Sequence, residues 1–222
     1  MIGYIFKQTL NFIMDMLETI AFVGSIYMII HFFILTPHKV KGQSMYPTFV
    51  DGEYILTSKI TYKLRPMKRG DVIIIKRTDT PDQKLLIKRL IGLPGDEIMI
   101  QNGSVYVNGE AIPENYLSAT TPIPNVSYLK EGEPVLIPSG YVFVMGDNRP
   151  NSEDSRKFGP VPIQNIEGVV FFRYLPVDRA GWITNPLPEE FQSLKKIIFY
   201  SDINSFSKSF KNLLDSKRLP LS

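Results

Sequence analysis

A chain of 222 residues has room for one medium-sized domain plus accessory segments. It contains no cysteine, which excludes a thiol nucleophile, a disulfide framework and a Cys-ligated metal, and its two histidines, His31 and His38, give a multi-His metal site or a Ser-His-Asp triad very little to work with. The formal charge of +3 and the 21% charged residues are ordinary for a folded protein and carry no nucleic-acid footprint.

In chain order, the first feature is the apolar stretch from Phe12 to Leu35, FIMDMLETIAFVGSIYMIIHFFIL, in which no Asp, Glu, Lys or Arg follows Ile20. A membrane span needs roughly 20 apolar residues. The reading is an uncleaved transmembrane anchor over 12–36 behind an N-terminal stub, 1–11, with His31 in the span. The alternatives are a buried core helix and a cleavable secretory signal; for the latter the run is too long, and no small-x-small site precedes Pro37. Lys7 lies on one side of the span and Lys39 and Lys41 on the other, so the positive-inside count does not orient it.

Residues 37–185 read as an all-β domain: short runs of Val, Ile and Tyr are separated by Gly, Pro, Asn and Asp. Strands are predicted at 54–57, 71–76, 85–93, 97–101, 104–107, 141–145 and 169–175. Asn102-Gly103 and Asn108-Gly109 predict tight turns, because both residue types tolerate positive φ. Residues 113–139 hold five prolines and few apolar runs and read as a long surface excursion. Residues 186–222 form a basic extension of unknown role, in which Ile203, Phe206, Phe210, Leu213 and Leu214 fall at the spacing of an amphipathic helix. The segment is a helix docked on its own domain, a loosely ordered tail, or a helix lying on a membrane surface.

Three segments carry residues suited to chemistry. In Gly42-Gln43-Ser44-Met45-Tyr46-Pro47-Thr48-Phe49 the serine, taken alone, is a turn with an exposed hydroxyl. In 84–96 a strand period of two puts Leu86, Lys88 and Leu90 on one face, so Lys88 sits on a largely apolar surface. Desolvation there lowers a lysine pKa and makes the amine a candidate general base, unless the stem packs and the ammonium snorkels to water. In Gly146-Asp147-Asn148-Arg149-Pro150-Asn151-Ser152-Glu153-Asp154-Ser155-Arg156, Asp154 and Arg156 lie on the same side of an extended segment and suit a fixed ion pair, and Ser152 is free to face an amine. A plain solvated turn and a calcium loop are the competing readings, although the spacing does not match an EF-hand.

Together these segments resemble the type I signal peptidases, membrane-anchored serine endopeptidases that remove signal peptides from exported proteins. The resemblance runs from the anchor to about Leu175, in the family's order: anchor, Ser-Met-x-Pro-Thr, Gly70-Asp71, Lys-Arg with Gly-Leu-Pro-Gly-Asp, then Gly-Asp-Asn-Arg-x-x-Ser-x-Asp-Ser-Arg. It implies a mainly β protein, with a signal-peptidase-like antiparallel catalytic domain behind one transmembrane helix. Ser44 becomes the nucleophile and Lys88 the general base. Ser152 is expected to hydrogen-bond the Lys88 amine and orient it, with Asp154 and Arg156 supporting the site. The Ser44 N–H is expected to bind the oxyanion, with Gly42 and Met45 in the oxyanion and substrate region. The family implies cleavage after small residues of the Ala-x-Ala type, with no metal or organic cofactor. Its partners would be signal-peptide-bearing precursors and the lipid bilayer, with a monomer assumed. It also implies a bacterial-type plasma membrane with the catalytic domain on the extracytoplasmic face.

Two departures stand out. Gly42 occupies a position where some members carry a serine whose hydroxyl completes the oxyanion hole, so the second donor falls to the glycine backbone or a neighbour. Pro150 replaces a frequent aspartate, with little effect expected. Two rival readings are a self-cleaving Ser-Lys protease of the LexA-like kind and a catalytically silent, membrane-anchored β-domain that acts as a binding module.

Overall fold

The computed structural model describes residues 2–29, 35–78 and 83–193. Helix α1, Ile2–Ile29, runs without a proline and so without a break. The residues read as a stub therefore continue the helix. Its apolar section, Lys7–Met28, has 22 residues and a length of ~33 Å at 1.5 Å per residue, enough to cross the hydrocarbon core. None of that section is buried against the rest of the chain, which separates it from the core helix of a soluble fold. His31 lies outside the described residues.

The end of the expected anchor is strand instead. β1, Leu35–Lys39, pairs antiparallel with β2, Tyr54–Ser58, from Leu35 opposite Ser58 to Lys39 opposite Tyr54. After α2, Thr61–Leu64, come β3, Val72–Lys76, and β4, Leu85–Gly92. β5, Glu97–Gln101, β6, Ser104–Val107, and β7, Glu110–Ala111, lead to β8, Val135–Leu136. β9, Tyr141–Met145, α3, Ser155–Phe158, and β10, Val161–Pro162, precede β11, Ile166–Leu175, β12, Gly181–Trp182, and α4, Glu189–Gln192. All seven predicted strands form. The additional ones are β1 and four two-residue strands, too short for an alternating pattern to register.

The strands make two antiparallel sheets. The larger has the order β1-β2-β11-β3-β4-β9-β10, with β12 also on β11; the smaller has the order β7-β6-β5-β8. Both Asn-Gly pairs close two-residue hairpins of the smaller sheet, with Asn102 and Asn108 at φ 51 and 53. β3 is buried on both faces. Val72 and Ile74 join Val40, Met45, Phe49 and Ile55 in one cluster, while Ile73 and Ile75 join Leu90, Val142 and Val144 in another. Burial of each such side chain is worth about 1.5–3 kcal/mol, and this fixes the strand that Lys88 leans on.

Two expectations are corrected. Segment 113–139 is not simply a solvated loop: Thr121, Leu129 and Ile137 are buried, and β8 completes the small sheet against β5. The domain also continues past 185. The Asn185 side chain donates to Arg69 O at 2.7 Å, Leu187 is buried, and the Arg69 guanidinium donates to the carbonyls of Phe191 and Ser193. Gly70 has to be glycine, since a Cβ there would lie 2.1 Å from Asn185 Oδ1. The predicted amphipathic helix beyond 193 lies outside the described residues.

Candidate active site

β4 places Lys88 opposite Ile73 and Leu86 opposite Ile75, so the stem of the lysine shares its face with aliphatic side chains. Lys88 is only 2% exposed. Burial pushes its amine down to about 8, while the carboxylates of Asp154, Glu153 and Asp147 pull the other way and Arg156 adds to the fall. Nζ lies 2.8 Å from Ser44 Oγ, across 44 residues of chain. Ser44 sits in the turn that joins β1 to β2, and it is held from below by Met45 and Phe49, both buried. Met45 is thus a core residue beneath the serine; its side chain does not face the cleft. The Ser44 carbonyl accepts from Asn148 N at 3.0 Å, which ties the serine turn to the loop after β9.

Three arginines lie behind the dyad. Arg156 is bidentate on Asp154, with Nε to Oδ1 and Nη2 to Oδ2 both 2.8 Å. The expected pair therefore forms, but on a helical turn: Asp154 is the N-cap of α3 and also accepts from Gly146 N. Burial pushes the Asp154 carboxyl up, but the Arg156 guanidinium outweighs it and holds the group below the usual carboxylate range. Arg89 is bidentate on Asp147, at 2.8 and 2.6 Å, and Thr48 of the serine turn donates to the same carboxylate. With its oxygens so engaged, Asp147 is not free for a cation, which disposes of the calcium-loop reading. Arg149 pairs with Glu114.

Ser152 departs from expectation. Its hydroxyl is buried without a hydrogen-bond partner and does not bond the Lys88 amine. It lies close enough to Asp154 to favour the ionised carboxylate, yet outside hydrogen-bond geometry. A Cβ on Gly146 would fall 2.2 Å from Ser152 Oγ and 2.4 Å from Ser44 O, so only glycine lets the loop, Ser152 and the serine turn meet. Gly42 adopts φ +83 and donates its N–H to Asp51 Oδ1 at 2.6 Å. Its backbone is therefore committed and does not supply the second oxyanion donor.

Ser44 opens onto a cleft of about 540 Å³ lined by Val40, Ile55, Ile74 and Ile87, with His38 and Leu85 at its rim. Burial lowers the His38 pKa, and its ring bonds Thr57 Oγ1 at 3.1 Å. Pairing of β4 with β9 starts only at Arg89, so among the described residues the β9-facing edge of 85–87 has no strand partner.

Residues 13–175 match the family described as Signal peptidase, peptidase S26. The chain belongs to the signal peptidase family. A Synechocystis sp. protein named "Probable signal peptidase I-2" is 38% identical over 162 residues, 71% of each chain. Signal peptidase IB of Staphylococcus aureus is 36% identical over 191 residues, 81% of this chain and 96% of its own. A crystal structure of a signal peptidase I from Enterococcus faecalis V583 shares 33% identity, covering 47% of this chain and 97% of that one, with a TM-score of 0.39. The chain is accordingly a serine peptidase with signal peptidase function, and its N-terminal apolar helix is consistent with membrane anchoring. Among the site residues of this signal peptidase, Arg89, Arg149, Glu114 and Gly146 were not singled out from the sequence. The adjacency of Arg89 to Lys88 and the Asp-Asn-Arg run after β9 were the available signals.

Proposed function

We propose that Ser44 is the nucleophile and Lys88 the general base in the cleavage of signal peptides from precursor proteins after small residues of the Ala-x-Ala type. The 2.8 Å contact between the serine hydroxyl and a buried amine with a pKa near 8 carries this reading. A neutral Lys88 takes the Ser44 proton as Oγ attacks the scissile carbonyl, then returns it to the leaving amine. In deacylation the same amine activates water. The Ser44 N–H, which has no acceptor among the described residues, is left to bind the oxyanion. This chemistry needs no histidine.

The substrate adds as an extended strand in the cleft between 38–41 and 84–87, with main-chain bonds to the unpaired β4 edge. The walls of Val40, Ile55, Ile74 and Ile87 favour small apolar side chains next to the scissile bond. In this reading the helix from Lys7 to Met28 spans a bacterial-type plasma membrane, and the catalytic domain stands on its extracytoplasmic face. Processing of a precursor by the full chain in detergent tests the dyad. Wild type cleaves, and Ser44→Ala and Lys88→Ala each lose nearly all activity; a fully active Lys88→Ala overturns the assignment.

A further inference from the structure

Segment 113–139 touches every arginine behind the dyad. Glu114 takes Arg149 in a two-point ion pair, with Nη1 to Oε2 at 2.8 Å and Nη2 to Oε1. Thr121 Oγ1 accepts from the same guanidinium. The Tyr116 ring lies under Arg89, with the guanidinium carbon 4.4 Å from its centroid, and the Tyr116 hydroxyl donates to Glu114 Oε1 at 3.1 Å. Arg156 donates to Pro122 O at 2.8 Å, while the Arg156 carbonyl accepts from Tyr128 N and Ser127 Oγ.

These contacts complete a charge balance. Arg89, Arg149 and Arg156 are each about 1–2% exposed, and burial of three cations requires three anions. The catalytic strands and loop supply only Asp147 and Asp154. Glu114 supplies the third from outside them. Arg149 passes that constraint inward: its Nε donates to Gly146 O at 3.1 Å, and its carbonyl accepts from Arg156 Nη2 at 2.7 Å. Gly146 is the residue that fits between Ser152 and the Ser44 carbonyl. Arg89 follows Lys88 directly in the middle of β4, so the Tyr116 ring steadies the part of the strand that carries the amine.

From this arrangement we infer that Glu114 and Tyr116 are positioning residues of the peptidase site: they act through Arg149 and Arg89 to hold the Gly146 turn and β4 in register with Ser44. The inference rests on the Ser44–Lys88 reading above. Because neither side chain reaches the cleft, their removal acts on the chemical step and not on substrate binding.

Precursor cleavage by the full chain tests it, with kcat and KM measured separately. Glu114→Gln, which keeps shape and removes charge, lowers kcat by about 10–100-fold, as loss of an orienting partner does, and leaves KM within about threefold. Arg149→Met lowers it similarly, and the double variant is no worse than the worse single one, because both act through one pair. Tyr116→Leu removes the ring from under Arg89 together with the bond to Glu114 and lowers kcat similarly; it decides the matter if Glu114→Gln does not fold. A wild-type kcat in Glu114→Gln, or in Tyr116→Leu where that variant alone folds, overturns the inference. So does a fall in kcat matched by a rise in KM, or additivity of the two single effects. Ser44→Ala and Lys88→Ala run alongside: activity there sinks the dyad itself, whereas inactivity there with an active Glu114→Gln sinks only the positioning role.

Discussion

Replacement of Lys88 by methionine exchanges a buried amine for an apolar side chain of similar length, and its effect on stability has a sign and a pH window set by the burial of the amine. The lysine pKa falls from 10.5 to about 8, chiefly through desolvation. At about 1.36 kcal/mol for each tenfold step, this corresponds to ~3 kcal/mol of destabilisation whenever the group must be charged. Because the folded value is the lower one, the native chain binds fewer protons than the unfolded chain between pH 8 and 10.5. Stability of the wild type therefore rises with pH across that window, and the full penalty is present below it. Lys88→Met is expected to be more stable than wild type by about 3 kcal/mol at pH 6.5, an advantage that shrinks toward zero by pH 10.5. Ser44 is only partly buried, so its hydroxyl finds water when the amine is gone. Urea unfolding of the full chain in detergent, followed by circular dichroism at both pH values, measures the difference. The same desolvation raises the neutral fraction of the amine at pH 7 by roughly 300-fold, so kcat/KM climbs with pH up to about 8. A methionine variant that is less stable at pH 6.5, or a difference that does not change with pH, would refute the claim that burial poises this lysine.

Gly146→Ala places a methyl against Ser152 Oγ and Ser44 O, and the backbone on both sides must shift. A loss of about 1–3 kcal/mol in urea unfolding is expected, together with a fall in kcat larger than any change in KM. Asp154→Asn leaves the buried Arg156 without its anion and is expected to cost about 3–5 kcal/mol at pH 7. Since the folded Asp154 pKa is depressed, its contribution is complete above the unfolded value of about 3.9 and disappears as pH falls through the folded one. Acid unfolding of Asp154→Asn should thus be flatter below pH 4 than that of wild type, and superimposable slopes would show that the pair contributes nothing.

Much of the site was legible in the sequence because its chemistry depends on local pattern. An alternating strand placed Lys88 among Leu86 and Leu90, and the polar loop after 141–145 held Asp154 and Arg156 close enough to pair. The Asn-Gly turns and all seven longer strands followed from residue type and period. Contacts between distant segments were not legible. The family resemblance made Ser152 a partner for Lys88, yet its hydroxyl ends beside Gly146 without a bond, because that depends on how the serine turn and the loop meet. Segment 113–139, rich in proline and poor in periodicity, gave no sign that it reaches the buried arginines.

Composition and spacing by themselves pointed to an apolar N-terminal helix, an all-β domain and a lysine on an apolar strand face, with no cysteine and no histidine triad at hand; the antiparallel fold and the pairing of Ser44 with Lys88 came from the family resemblance. Only the tertiary structure decided that the two meet at 2.8 Å, that Gly42 spends its N–H on Asp51, and that Glu114 balances the third arginine. Periodicity and turn chemistry are properties of neighbours in the chain, whereas desolvation and ion pairing depend on whatever residues the fold packs around a charge.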